Sequence, residues 1–290
     1  MLKQPILALR RNQYNPMLAS LTKLYRWISL LSIDIAVGAG VSSIFFARLF
    51  DVHLRVFPII ILVLTVWMIY AADHLLDVSN ADVKTLSTRR QFHFLHQRSM
   101  IISIVVCLVA VCILTFFLYL KVVVGGLVLM IFSCSYFVLK NRIKGLKEIF
   151  SGMIYCCGIL LAPTLNRVGS LSSYHFETIG AFGLTVLLNL VLFAYYDHSH
   201  DIREKHVSLA TLIGIQNTKH LIELLFFIQM ILLSVLLSHA VELYSVMTII
   251  LMNLVLMTLF FYKESFEKNN NFRLIGDAIF LFPVLYLAFN

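Results

Sequence analysis

Tyr195-Tyr196-Asp197-His198-Ser199-His200-Asp201 closes a long apolar run, and Tyr70-Ala71-Ala72-Asp73-His74-Leu75-Leu76-Asp77 closes another in the same way, 124 residues earlier. Each stretch contains D-x-x-x-D. On a helix that spacing sets both carboxylates on one face, about 5–6 Å apart at Cβ, where they repel unless a cation lies between them. What the pairs do depends on whether the runs that carry them cross a bilayer, and composition decides that. Of 290 residues, 60% are hydrophobic and 13% are charged, against about 25% charged in a soluble domain. Nine runs reach or approach the roughly 17–25 residues of a membrane-spanning helix. They lie near 27–49, 55–72, 100–120, 122–140, 148–166, 176–196, 220–240, 243–262 and 273–289.

This pattern predicts an all-α integral membrane protein, a bundle of nine transmembrane helices. Residues 1–26 form an N-terminal arm and 27–290 a single transmembrane domain, with no room for a separate soluble domain. The first run exceeds the roughly 7–15 apolar residues of a cleavable signal, so no cleavage is expected. Five cysteines fall inside the runs without C-x-x-C spacing and read as small packing residues.

A net charge of +8 would point a soluble protein towards nucleic acid. Here it sorts topology instead, because Lys and Arg stay on the cytoplasmic side. Only Arg48, Arg55, Lys121 and Arg167 of the 23 basic residues fall on one side of the nine spans, which leaves 19 on the other. The N-terminus is therefore expected in the cytoplasm. Four spans separate the two acid pairs, and an even number of crossings returns the chain to the same side. Both pairs are expected at the cytoplasmic mouth of a multi-pass protein of the bacterial cytoplasmic membrane.

Four converging carboxylates suit Mg²⁺, a hard ion usually held by a few carboxylates together with substrate phosphates. One such pair alone would read as solvated helix-end acids. Two pairs of equal spacing at equivalent depth favour a metal–diphosphate site, with Arg and Lys nearby to neutralise phosphate charge. His93, His96, His198 and His200 show no fixed ligand spacing for a transition metal and read as substrate contacts or surface residues. The stretch Arg89-Arg90-Gln91-Phe92-His93 is expected to form a short helix capping the pocket.

In these motifs the chain resembles the UbiA superfamily of intramembrane prenyltransferases, as a divergent member. That family has nine transmembrane helices and two aspartate-rich motifs. Asp197-His-Ser-His-Asp201-Ile-Arg-Glu-Lys205, followed by Ser208-Leu-Ala-Thr-Leu-Ile-Gly214, is similar to its second motif and the T-L-P-x-x-x-G-like segment beyond. Tyr136-x-x-x-Lys140 leading to Lys147 is similar to the place where members set a basic residue on the diphosphate. The likeness covers about residues 24–290. In the first motif Asp73 occupies the usual Asn position, which keeps an oxygen ligand, and His74 stands where Asp is frequent.

The resemblance implies Mg²⁺-dependent transfer of a prenyl group from a polyprenyl diphosphate to a lipophilic, often aromatic, acceptor. It implies Asp73, Asp77, Asp197 and Asp201 as catalytic metal ligands. Arg90, Lys140, Arg203 and Lys205 would meet the departing pyrophosphate, with Arg89 and Lys147 behind them. Tyr70, His74, Tyr195 and Tyr196 are candidates for the pocket wall. Asp34 and Asp277, inside the first and last spans, are candidates to orient an acceptor hydroxyl or take its proton. Two other classes compete: a terpene cyclase of the same fold, and a non-enzymatic transporter. The acids cluster at one membrane face, which favours an interfacial phosphate site over a permeation path.

Overall fold

A computed structural model describes residues 24–78, 88–139, 145–204, 206–239 and 242–289. Among them there are helices and no strands, as hydrocarbon requires of a backbone that must satisfy its own hydrogen bonds. The helices are α1 (Leu24–Leu30), α2 (Ile33–Leu49), α3 (Val56–Val78), α4 (Thr88–Leu95), α5 (Gln97–Thr115), α6 (Leu120–Leu139) and α7 (Lys147–Asn166). They continue with α8 (Ser173–Arg203), α9 (Leu209–Ile213), α10 (Ile215–His239), α11 (Leu243–Phe261), α12 (Lys263–Glu267), α13 (Asn271–Ala278) and α14 (Pro283–Phe289).

The first expected span is not one rod. Ser32 takes a left-handed conformation with φ of 56°, and α1 meets α2 at an 80° bend. Among the described residues, eight spans are long and apolar enough to cross a membrane, and α1 with α2 makes a ninth if the bent pair counts as one. The last span is also interrupted, by a 3₁₀ turn over Ile279–Leu281 before Pro283, whose missing N–H cannot continue the ladder. By contrast α8 runs for 31 residues, about 46 Å at 1.5 Å per residue. That exceeds a hydrocarbon core of about 30 Å, so the turns carrying Asp197 to Arg203 continue past the apolar run as one helix.

The bundle packs around α2 and α8, the helices with most buried residues. Small residues make this possible in α2, where Gly38, Ala39, Gly40, Ser42 and Ser43 are buried. Membrane helices use such residues to bring backbones close, and at Gly38 a methyl group would stand 2.7 Å from Phe280 Cβ. Partners of α2 are α3, α7 and α14, while α8 touches α7, α10 and α11. Helices α5 and α6 lie outside; Met100 is the single buried residue of α5. The five cysteines are unpaired, and Cys112, Cys134 and Cys157 are exposed on outward faces, so the packing expectation fits only Cys107 and Cys156.

Candidate active site

Four helix termini meet at one end of the bundle: the C-terminal turns of α3 and α8 and the N-terminal turns of α7 and α13. They enclose a cavity of about 430 Å³. Tyr70, Asp73 and His74 enter it from α3, and Lys147, Glu148, Ser151 and Tyr155 from α7. Along α8 the lining residues Asn189, Phe193, Asp197, Asp201 and Glu204 recur every three or four positions, the spacing of a single helical face. Arg273 and Asp277 complete the wall from α13.

The lining is strongly acidic. Among the described residues, Asp73, Glu148, Asp197, Asp201, Glu204 and Asp277 face Lys147 and Arg273 as fixed cations, a formal excess of four negative charges within that set with histidines neutral. Asp197 is directly ion-paired, since Arg273 Nη2 donates to its Oδ2. The guanidinium lies 5.3 Å from the Phe193 ring centre and 5.5 Å from that of Phe272. Gly276 lets α13 approach so closely, because a methyl group there would meet Phe193 Cε1 at 2.5 Å and Asn189 Oδ1 at 2.8 Å.

On the α7 side, Lys147 Nζ lies 2.7 Å from His206 Nε2. An ammonium can only donate, so this imidazole nitrogen is the acceptor. Glu148 is buried, and its Oε1 accepts the Leu209 N–H at 3.1 Å. Ser208 caps α9 through a reciprocal pair with Thr211, and Gly214 at φ 83° ends that helix. The 208–214 segment singled out in the sequence is thus a short capped helix pinned to α7. On the α3 side, His74 stacks on His93 with ring centres 4.8 Å apart and contacts Ser32 Oγ at 3.4 Å. The short helix α4 does form, and its His93 is fully buried rather than a surface histidine. Deeper in, Tyr155 donates to the Ile35 carbonyl at 3.3 Å. Asn189 Oδ1 is buried with no hydrogen-bond partner among the described residues.

Of the expected site residues, Asp73, Asp197, Asp201, Tyr70 and His74 line this one cavity. Lys140 and Lys205 lie outside the described residues, as do the side chains of Asp77, Arg89 and Arg90. Four others are placed elsewhere. Arg203 is exposed, holding the Ser199 carbonyl at 3.2 Å and His200 Nδ1 at 3.1 Å. Tyr196 is buried away from the cavity, donating to the Leu259 carbonyl at 2.6 Å and stacked on Phe272 at 4.2 Å. The Tyr195 ring lies 4.1 Å beneath Lys263 Nζ, whose pKa burial lowers below the usual lysine value against the pull of Glu267. Asp34 is buried, with Oδ1 accepting the Ile35 N–H at 2.9 Å. The placement of Arg203 gives an expected result: Arg203→Ala changes turnover by less than about twofold, since an exposed cation beyond the cavity contributes little. Steady-state kinetics in membranes checks this.

Glu148, Glu204, Asn189 and Arg273 were not singled out from the sequence as site residues. Glu204 follows Asp201 by three and Arg273 precedes Asp277 by four, so helical spacing was the signal that would have found both. Asn189, two turns before Asp197 in a buried run, offered none.

Fold and cavity together define a multi-pass integral membrane protein with a charged chamber at one end of a helical bundle. No family model matches the sequence, and no curated protein does. The fold is similar to that of a solved structure, a UbiA homologue from Archaeoglobus fulgidus bound to DMAPP and Mg²⁺. The TM-score is 0.63 at 11% identity, covering 90% of this chain and 99% of that one. The protein therefore has the UbiA-type fold.

Among the described residues, no three His, Cys, Asp or Glu side chains gather as ligands for one ion. Asp73, Asp197 and Asp201 nevertheless reach one chamber from two helices as hard oxygen donors. Such a set fits Mg²⁺, which keeps several waters and takes one or two carboxylates plus substrate phosphates rather than an all-protein cage.

Proposed function

We propose that the chain belongs to the UbiA superfamily and is a Mg²⁺-dependent intramembrane prenyltransferase. It moves a prenyl group from a polyprenyl diphosphate to a lipophilic acceptor, aromatic in class, within the bilayer. The observation that carries this reading is the convergence of Asp73, Asp197 and Asp201 on one acidic chamber of a UbiA-type bundle. The comparison protein was bound to DMAPP, a prenyl diphosphate, and Mg²⁺. On the charge bias, we place the N-terminus and the chamber on the cytoplasmic side of a bacterial membrane.

Asp73, Asp197 and Asp201, with Asp77 beside them in sequence, would hold the metal. When bound, it would draw negative charge from the diphosphate as the allylic C–O bond breaks. The chain's own cations do the rest of the neutralisation. Lys147 and Arg273 line the chamber and meet phosphate oxygens by charge-assisted hydrogen bonds, and Lys140, Lys205 and Arg90 are the further candidates that the sequence offers for the same task. Tyr70, Tyr155, Phe193 and Phe280 contribute aromatic side chains to the lining, suited to an electron-poor allylic carbon. Apolar walls there also exclude water that would capture the cation. Asp277 also lines the chamber and is our candidate to take the acceptor's proton.

Membranes containing the protein, incubated with Mg²⁺ and radiolabelled DMAPP or a longer prenyl diphosphate, are expected to release pyrophosphate together with a prenylated lipid. Chelation by EDTA is expected to stop release, and added Mg²⁺ to restore it. Pyrophosphate release with a cyclised hydrocarbon would assign a terpene cyclase instead. No release with any chain length would rule out the enzyme reading.

A further inference from the structure

We propose that Arg273 is a resident counter-ion of Asp197 that transfers to the diphosphate when substrate enters, which makes metal and diphosphate binding mutually dependent. This rests on the function proposed above and concerns how that site is loaded. Arg273 and Asp197 form a direct ion pair inside the chamber. Both side chains are mostly buried, at 29% and 21% exposure. A guanidinium does not deprotonate at any physiological pH, so a metal that takes Asp197 Oδ2 must displace it, and one that takes Oδ1 still meets its positive charge at close range.

Displacement of an arginine from a buried carboxylate is costly unless the arginine finds another partner. Water gives little recompense in a chamber of this size, whereas a diphosphate gives the planar fork a bidentate acceptor. Metal alone must therefore compete with Arg273. Metal arriving with diphosphate relocates it, and each ligand raises the affinity of the other by the same factor. The anchorage suits a moving head group. Phe193 and Phe272 hold the guanidinium through ring faces at 5.3 and 5.5 Å, contacts that fix no single hydrogen-bonding direction. Gly276, one turn further on, sets the helix near enough for this exchange.

The test is binding to detergent-purified full-length protein, with Mn²⁺ followed by electron paramagnetic resonance and inorganic pyrophosphate followed by calorimetry. Removing the competing charge in Arg273→Gln is expected to tighten Mn²⁺ about tenfold without pyrophosphate. It is expected to weaken pyrophosphate about tenfold at saturating Mg²⁺. These opposite signs separate an exchanging counter-ion from a structural strut, whose loss would weaken both. Arg273→Lys, which keeps the charge but not the fork, is expected to leave Mn²⁺ affinity near wild type and weaken pyrophosphate about threefold. It decides the matter if the Gln variant fails to fold. Unchanged or weaker Mn²⁺ binding in a folded Gln variant overturns the proposal, as does unchanged pyrophosphate binding in the Lys variant. A wild-type protein that binds neither probe overturns the functional reading itself, whereas one that binds both alongside unresponsive variants overturns only the role of Arg273.

Discussion

Asp201→Asn is expected to lower Mg²⁺-dependent pyrophosphate release about 10³-fold, the loss of several kcal/mol of transition-state stabilisation. The substitution keeps shape and removes one charge. Asp201 is buried at 5% exposure and lines the chamber beside Glu204 and Asp197. The neighbouring main-chain bond from His206 N–H to the Asp201 carbonyl, 2.8 Å, is untouched by a side-chain change. Secondary structure and melting temperature in detergent should therefore stay near wild type while activity falls. Asp73→Ala, which removes the oxygen ligand altogether, is expected to behave alike, since Asp73 approaches the same chamber from α3. The double variant should be little worse than either single one, because residues that act as a unit are far from additive. Kinetics at saturating Mg²⁺ checks all three. Near wild-type turnover in both single variants would remove the metal–diphosphate site from this cavity.

The legible part of the site was the part written in one helix. Asp197 and Asp201 share a face by spacing alone, and the run ending in Tyr195-Tyr196 marked where α8 leaves the apolar layer. The same geometry explains the tyrosine and arginine placements. Neighbours in sequence are about 100° apart around a helix, so Tyr196 turns away from the stripe that Asp197 occupies. Tyr195 and Arg203, two residues from an acid on the stripe, lie nearly opposite it. Glu204, at the i+3 position from Asp201, was the better candidate. Proximity in sequence was the wrong measure, and angular phase the right one.

What remained hidden depends on contacts between distant segments. Arg273 entered the sequence reading as one positive charge among those on its side of the membrane. Helical spacing puts it on the face of Asp277, but its meeting with Asp197 depends on the close pass at Gly276 and the return of α13 beside α8. The break at Ser32 was equally silent, because neither Gly nor Pro marks it. The nine-run pattern survives only if α1 and α2 are counted together, since hydropathy records apolar length and not the direction of the chain.

Gly38→Val is expected to destabilise the protein by about 2–3 kcal/mol, at the upper end of what overpacking costs. The reason lies in what the added carbons would strike. A Cβ at position 38 stands 2.7 Å from Phe280 Cβ and 3.2 Å from both the carbonyl carbon and the carbonyl oxygen of that residue. These atoms belong to the 3₁₀ turn Ile279–Leu281 and cannot rotate aside, unlike the ring tip of Phe193 that faces Gly276. Relief requires α2 to move away from the last span. That motion would loosen the contact of Ser42 Oγ with the Phe280 carbonyl at 3.5 Å and the packing of Tyr155 on the Phe280 ring at 5.3 Å. Two other glycines supply the contrast: a methyl group at Gly126 or Gly183 would find its nearest neighbour at 3.9 or 4.0 Å. Gly126→Ala and Gly183→Ala should be neutral or slightly stabilising, since Ala is the better helix former. Thermal unfolding in detergent, followed by loss of helical signal, ranks the three. A Gly38→Val protein that melts with wild type would show that α2 and the last span are not held together at Phe280. The close approach of small residues would then not be what shapes the floor of the chamber.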